Sequence, residues 1–382
     1  MHIARKGMDL YDRILIHKKR KNEIIKFKDP RRVSIYQSVN LTSHQKAEID
    51  ELFYDNYGEK IPYIWHQHYT AFTGNFDPTY IPELIYIPEF EYFMNPYQEY
   101  VLAFGDKNIL PYLAKSAGIK TPEAYCSSVR GFFRDQWNQP IDRCIAIKAV
   151  EELGEAFIKP SVDSCSGNGC AIINIVNGKD LISGLSVDQL FSRMGKDFVI
   201  QERLKCHSSI SALYPKSVNT FRIITYRWKN QIYHFPITMR IGSHGGFLDN
   251  AHQGGMFIAI DEDGHLHDQA FTEFKTIFTE HPDSKIKFSG YTISFVKNVI
   301  EAANRMHALI PQVGCIHWDF TIDENGMPTL IEANTRSGGI WLPEIAHGCG
   351  VFGDKTAEIL RWMRLMKKTK KSDRVPYYWG QM

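Results

Sequence analysis

Three residues with oxygen ligands stand close together near the C-terminal end of the sequence, in "DFTIDENGMPTLIEANTRSGG", Asp319 to Gly339. They are Asp319, Glu332 and Asn334. Alternation of period two in "HWDFTI" sends Trp318, Phe320 and Ile322 to one face of a strand and His317, Asp319 and Thr321 to the other. In "TLIEAN" the same rule puts Glu332 and Asn334 on one face, with Ile331 and Ala333 opposite. Asn325-Gly326 is a strong two-residue hairpin signal, because a type I′ turn needs two residues that tolerate positive φ. That loop places Asp319 across from Glu332 and His317 across from Asn334. Directly opposed like charges destabilise a ladder, so a cation is expected between the carboxylates. Mg²⁺, which takes one or two carboxylates and completes its octahedron with phosphate oxygens, is the simplest candidate. A solvated hairpin face is the plain alternative, and Pro328 warns of an edge or a bulge that shifts the register.

A metal of that kind asks for a phosphate site. The sequence has no G-x-x-x-x-G-K-[ST] and no G-x-G-x-x-G ahead of a helix, so P-loop and dinucleotide readings lose their main support. It has instead "FIKPSVDSCSGNGCAII". Two apolar strands flank a Ser/Gly loop, Ser164 to Gly169, able to present successive N–H groups to an anion. Lys159 ends the incoming strand, where an ammonium is a point charge for phosphate oxygens. Lys107 in "FGDKNIL" stands at a helix start. Each element alone reads equally as an ordinary turn or a solvated lysine.

The elements that must hold these residues alternate. After an amphipathic helix, "NILPYLAKSAGI", come short strands in "EAFIKP", "CAIINIV" and "DFVIQERL". An antiparallel meander follows in "NTFRIITYRW", "QIYHFPITMRIG" and "MFIAIDEDGHLH". The helix "SFVKNVIEAANRMHAL" precedes the hairpin. A last helix around "KTAEILRWMRLMKK" buries Ile359, Trp362, Met363 and Met366 on one side. The first hundred residues join a helix, "SHQKAEIDELFYDNYG", to an aromatic, proline-punctuated stretch expected to be rich in loops. The class is α+β, divided as residues 1–100, 101–205, 206–366 and a basic tail, 367–382.

At 382 residues, with 45 Lys+Arg against 43 Asp+Glu, the chain has no nucleic-acid-like field. The basic run "HKKRKNEIIKFKDPRR" and the terminal "MKKTKK" could meet an anionic membrane surface or glycan, or simply be solvated. Seven scattered cysteines fit no zinc spacing. Together with the lack of a signal pattern or a spanning apolar run, they suit a cytoplasmic protein.

In this order, "GDK" with Lys107, "IKP" with Lys159, "SGNG" with Gly167 and Gly169, "VIQERL" with Glu202, "VNTFRIITYR" with Arg222 and "WDF…LIEANTR" resemble the ATP-grasp superfamily. More narrowly, they resemble the sugar-transfer associated ATP-grasp proteins. The match covers about residues 100 to 350, and "GNFDPTYIPE" upstream also resembles that group. The resemblance implies an ATP-grasp fold, two α+β subdomains gripping ATP. Lys107, Lys159, Ser164, Ser166, Gly167 and Gly169 would contact ATP phosphates, and Glu202 adenine or ribose. Asp319, Glu332 and Asn334 would hold Mg²⁺, with Mn²⁺ as a substitute.

It further implies a ligase that activates a carboxylate as an acyl-phosphate and passes it to an amine or amino acid. The carboxylate could be a uronic acid or sugar precursor in surface-polysaccharide biosynthesis. Arg222, Arg240 and Arg336 are the candidates to stabilise developing negative charge. The segment "DNAHQGG", Asp249 to Gly255, with His252, could line the acceptor site. An ATP-grasp kinase acting on a hydroxyl and a non-catalytic nucleotide-binding partner remain the alternatives.

Overall fold

A computed structural model describes residues 2–162 and 168–374. Two antiparallel sheets carry the architecture. The first contains β1 (Ala124–Val129), β2 (Phe132–Asp135), β3 (Pro140–Ile141), β4 (Gly154–Pro160), β5 (Ala171–Val176), β6 (Lys179–Asp180) and β7 (Phe198–Glu202), in the order β3-β2-β1-β7-β4-β5-β6. The second contains β8 (Thr220–Trp228), β9 (Gln231–His234), β10 (Ile237–Ile241), β11 (Met256–Ile260), β12 (Leu266–Phe271), β13 (Ile277–Phe278), β14 (Cys315–Ile322) and β15 (Pro328–Asn334). Its order is β13-β12-β11-β10-β8-β14-β15, with β9 also on β8. Helices are mixed with strands that pair into antiparallel sheets, which is the α+β arrangement expected.

The small sheet builds its own core from residues such as Ile158, Ile173, Phe191 and Ile200. The large sheet is covered on both faces. Phe221, Ile223, Trp318, Phe320 and Ile322 pack with the helix Val296–Ala308. Ile224, Tyr226, Phe257 and Cys315 face a second core shared with N-terminal aromatics and with Ile359, Trp362, Met363 and Met366 of the helix Thr356–Lys368. The alternation read from "HWDFTI" and the buried stripe of the last helix are both as the spacing predicts.

The proline-rich stretch is largely helical rather than loop. It contains the helix Ile64–Thr73 and, between Glu83 and Met94, short turns around a π-helix, Tyr86–Glu91, that holds Pro88. Burial of Trp65, Tyr69, Tyr86 and Phe90 against the large sheet overrides the local effect of the prolines. The wider π turn accommodates a residue that has no N–H. Helix α1 (His2–Lys26) is tied to the far end of the chain: Asp12 accepts from Tyr92 Oη at 2.6 Å and from Arg374 Nη1 at 2.7 Å. Among the described residues no helix is long and apolar enough to cross a membrane.

The β14–β15 hairpin reaches the expected pairing by a different route. Its loop is five residues, Asp323 to Met327, because Ile322 pairs with Pro328. Asp323 organises the loop by accepting from the N–H groups of Asn325 at 3.0 Å and Met327 at 2.9 Å. That loop alone would leave Asp319 one residue out of register. A bulge at Ile331 corrects the count, so Asp319 stands opposite Glu332 and His317 opposite Asn334. The bulge also turns Ile331 toward the same cavity as Glu332, not away from it as simple alternation predicts.

Candidate active site

A cavity of about 730 Å³ lies between the two sheets. Lys107, Lys159, Glu202, Arg222, Arg240, Asp319, Glu332, Asn334 and Arg336 all line it, although they come from seven separate stretches of sequence. Ser164, Ser166 and Gly167, expected in the phosphate loop, lie outside the described residues. Gly169, at the return of that loop, has φ of +78°, and a Cβ there would sit 2.8 Å from the Pro160 ring. Glycine is required at this position both by backbone conformation and by close approach.

The carboxylates are already met by cations of the chain. Asp319 and Arg222 are cross-strand neighbours on β14 and β8. Arg222 donates to Asp319 through Nε at 2.6 Å and Nη2 at 3.2 Å, and Arg240 Nη2 lies 3.0 Å from Asp319 Oδ2. Burial alone would raise the Asp319 carboxyl; the Arg222 and Arg240 guanidiniums outweigh it and hold the group below its usual range. Arg240 continues the network, with Nε 3.6 Å from Asp249 Oδ2 and two donations to Thr220 Oγ1. Thr220 passes its own proton to Asp249 at 2.5 Å. Glu332 is partnered by Lys107 Nζ at 3.2 Å. Two of the three arginines expected to stabilise developing negative charge are thus engaged with carboxylates of the chain itself.

Lys159 is different. Only 5% exposed, it ends β4 with no ion pair within 4 Å among the described residues. Burial and the neighbouring Lys107 push its ammonium down to about 8, and Glu332 offsets this only in part. A buried cation held beside a second cation favours an anionic ligand. Among the described residues, the Lys, Arg, Asp and Glu side chains lining the cavity are seven cationic and four anionic, which also suits a polyanion.

The metal candidates can be tested by counting lone pairs. An ionised carboxylate has about four acceptor sites. Asp319 uses three on the two arginines and Glu332 one on Lys107, so both retain capacity for a cation. No group of three His, Cys, Asp or Glu side chains could hold a metal by itself among the described residues. The amide of Asn334 and phosphate oxygens would have to complete a shell, as is ordinary for Mg²⁺. The donor set therefore fits Mg²⁺ carried with a nucleotide.

Glu202 lines the cavity while accepting from the Glu123 N–H at 3.1 Å. His252 lines it too, with Nδ1 2.7 Å from Glu273 Oε2, and Glu273 is shared with Arg32 at 2.8 Å. Sequence reasoning did not single out Lys19, Thr220 or Asp249 as cavity residues. It also missed Glu91 and Asn95, which shape the loop after β15. Lys19, Thr220 and Asp249 sat inside quoted stretches without being read as site residues; Glu91 and Asn95 carry no local signal, because helix docking brings them in.

A family model described as sugar-transfer associated ATP-grasp matches residues 87–359. A search of curated proteins finds no match. Similar solved structures include an ADP complex of N5-carboxyaminoimidazole ribonucleotide synthetase, at 11% identity and a TM-score of 0.37, covering 62% of this chain and 46% of that one. An L-amino acid ligase from Bacillus licheniformis has 14% identity and a TM-score of 0.34, covering 64% and 43%. The VanG D-Ala:D-Ser ligase from Enterococcus faecalis has 14% identity and a TM-score of 0.40, covering 69% and 62%. The chain thus spans between 43% and 62% of the length of these structures.

Proposed function

The chain belongs to the sugar-transfer associated ATP-grasp family, with the α+β ATP-grasp fold, and from that premise we propose that it is an ATP- and Mg²⁺-dependent ligase. It would activate a carboxylate as an acyl-phosphate and join it to an amine or amino acid. The carboxylate would belong to a uronic acid or related precursor of a surface polysaccharide. The observation that carries this reading is the buried Lys159, without an ion pair among the described residues, beside Lys107 in the cavity that Glu332 and Asn334 also line.

In this reading Lys159 and Lys107 bind the phosphates, and Glu202 lies toward the nucleoside. Asp319, Glu332 and Asn334 hold Mg²⁺, which when bound neutralises phosphate oxygens and keeps the transferring group in line. Arg222 has five donors and spends two on Asp319. The rest, with those of Arg240, can stabilise the charge of the tetrahedral adduct without reorganising, because Asp319, Asp249 and Thr220 already fix both guanidiniums. Arg336, on an exposed loop that lines the cavity, would grip the carboxylate.

The test follows the γ-phosphate. Enzyme, Mg-ATP, a carboxylate acceptor and its amine should release one inorganic phosphate per ADP and give a product lighter than the summed substrates by one water. A stable product heavier by one phosphoryl group, formed without amine, would establish a kinase instead. Glu332→Gln should fold and lose nearly all turnover; wild-type turnover in that variant would remove the metal assignment.

A further inference from the structure

Helix α1 lies outside the residues matched by the family model, yet it forms part of the cavity wall. Leu15 and Lys19, one helical turn apart, both line the cavity. The helix is anchored on either side of Lys19. Arg20 pairs with Glu89 at 3.1 Å, and Asp12 with Arg374 at 2.7 Å. The Lys19 ammonium sits 4.9 Å from the Tyr92 ring centroid and makes no ion pair within 4 Å among the described residues.

The second cation at this end is Arg336, and its loop is held in an unusual shape. Ser337 has φ of 56°, a left-handed conformation rare outside glycine. Glu91 stabilises it by accepting from the N–H groups of Ser337 at 2.7 Å and Gly338 at 3.0 Å. Asn95 Nδ2 donates to the Thr335 carbonyl at 2.8 Å, and Thr335 Oγ1 to Val101 O at 2.6 Å. A Cβ on Gly338 would lie 2.4 Å from the buried His317 ring, so the loop seats itself only with glycine there. Glu91 belongs to the π-helix and Asn95 follows it closely, so the helical segment that supports α1 also fixes the loop bearing Arg336.

Two cationic centres therefore exist in one cavity. Lys159 responds to Lys107 and Glu332, whereas Lys19 responds to Glu91, Arg336 and Asp12. Beside the second centre the wall is apolar and aromatic, with Leu15, Trp341 and Leu342. A ring compound bearing an oxyanion satisfies both features, since a ring can pack on an aromatic face while its charge meets the cations.

We propose that Lys19 and Arg336 form an oxyanion subsite for the acceptor, so that α1 sets which acceptors the enzyme accepts. This rests on the ligase reading for the word acceptor, but the binding claim can be tested separately. The full-length protein is melted with and without saturating Mg-ADP, in the presence of D-glucuronate, glucose 1-phosphate or glucose. Either anionic sugar should add to the thermal shift and neutral glucose should not; glucuronate alone would identify a carboxylate subsite, glucose 1-phosphate alone a phosphate subsite. Lys19→Met, which keeps the aliphatic stem, should weaken the anionic sugar at least tenfold while retaining the Mg-ADP shift, which reports an intact fold. Arg336→Met, at an exposed position, should do the same and carries the test if the helix variant does not fold. Binding of neither anionic sugar, equal binding of glucose, or anion binding unaltered in the variants overturns the subsite. Loss of the Mg-ADP shift in the wild type, with Lys19-dependent sugar binding intact, would instead overturn the ATP reading and leave the subsite standing.

Discussion

On the large-sheet side of the cavity Asp319 is enclosed by Arg222 and Arg240, and Arg240 in turn meets Asp249 through Thr220. On the small-sheet side Lys159 ends its strand with another lysine as the chief charge acting on it. Both sides bury charge. The first neutralises it within the chain and gains a fixed array of donors that persists without ligand. The second leaves it uncompensated, so an anion that arrives there recovers free energy the unliganded fold has forgone. The arrangement assigns rigidity to one wall and ligand dependence to the other.

Removing a partner on the compensated wall should have the largest effect. Asp319→Asn removes the carboxylate shared by the half-buried Arg222 and the buried Arg240, and breaking a buried pair in this way typically costs about 3–5 kcal/mol. Urea unfolding should show that loss with an unchanged m-value, and turnover should fall with it. A variant as stable as wild type would mean the arginines find other partners.

Lys159→Met should act in the opposite direction on the unliganded protein. The native ammonium titrates at about 8, below its usual 10.5, so the cost of burying the charge is complete below pH 8 and vanishes above about 10.5. Wild-type stability should therefore rise across that interval relative to Lys159→Met, by up to about 3 kcal/mol at 1.36 kcal/mol per pH unit. In the presence of Mg-ATP the order reverses. The wild type should gain about 2.7 kcal/mol at a hundredfold excess over Kd, and the variant much less. Parallel pH curves for the two proteins without nucleotide would remove the contrast between the walls.

The smallest effect is expected from Thr220→Val, which keeps the shape but deletes the hydroxyl between Arg240 and Asp249. With those two groups still 3.6 Å apart, the loss should be about 1 kcal/mol, measurable by thermal melting. A loss as large as that of Asp319→Asn would identify the hydroxyl, rather than the ion pairs, as what organises the wall.

Much of the compensated wall could be read from the sequence. Asp319, Glu332 and Asn334 lie two residues apart or across one hairpin, and period-two alternation is local information. The expected two-residue turn was not the one formed, but the bulge at Ile331 restores the pairing, so the facing carboxylates were correctly placed although a five-residue loop joins their strands. What neutralises them was not legible. Arg222 meets Asp319 because β14 inserts beside β8, and no periodicity within either strand encodes that neighbour. Lys107 reaches Glu332 across 225 residues for the same reason. Glu91 and Asn95 were hidden more deeply, in a segment whose prolines suggested loop and whose aromatic burial made it helical. The resemblance carried over the residues of the family pattern, and α1 stands outside that pattern.

The attachment of α1 to Arg374 has a bearing on how the molecule comes together during synthesis. Asp12 leaves the ribosome 362 positions ahead of Arg374, its cationic partner. Contacts that distant close late, because the intervening chain must first be ordered. The nascent protein can complete both sheets, and with them the ATP wall, while its first helix still waits for a buried acid to be neutralised. On that order Lys19 settles after the strands that carry Lys159, Asp319 and Glu332, so the cavity is walled by its sheets before α1 completes it.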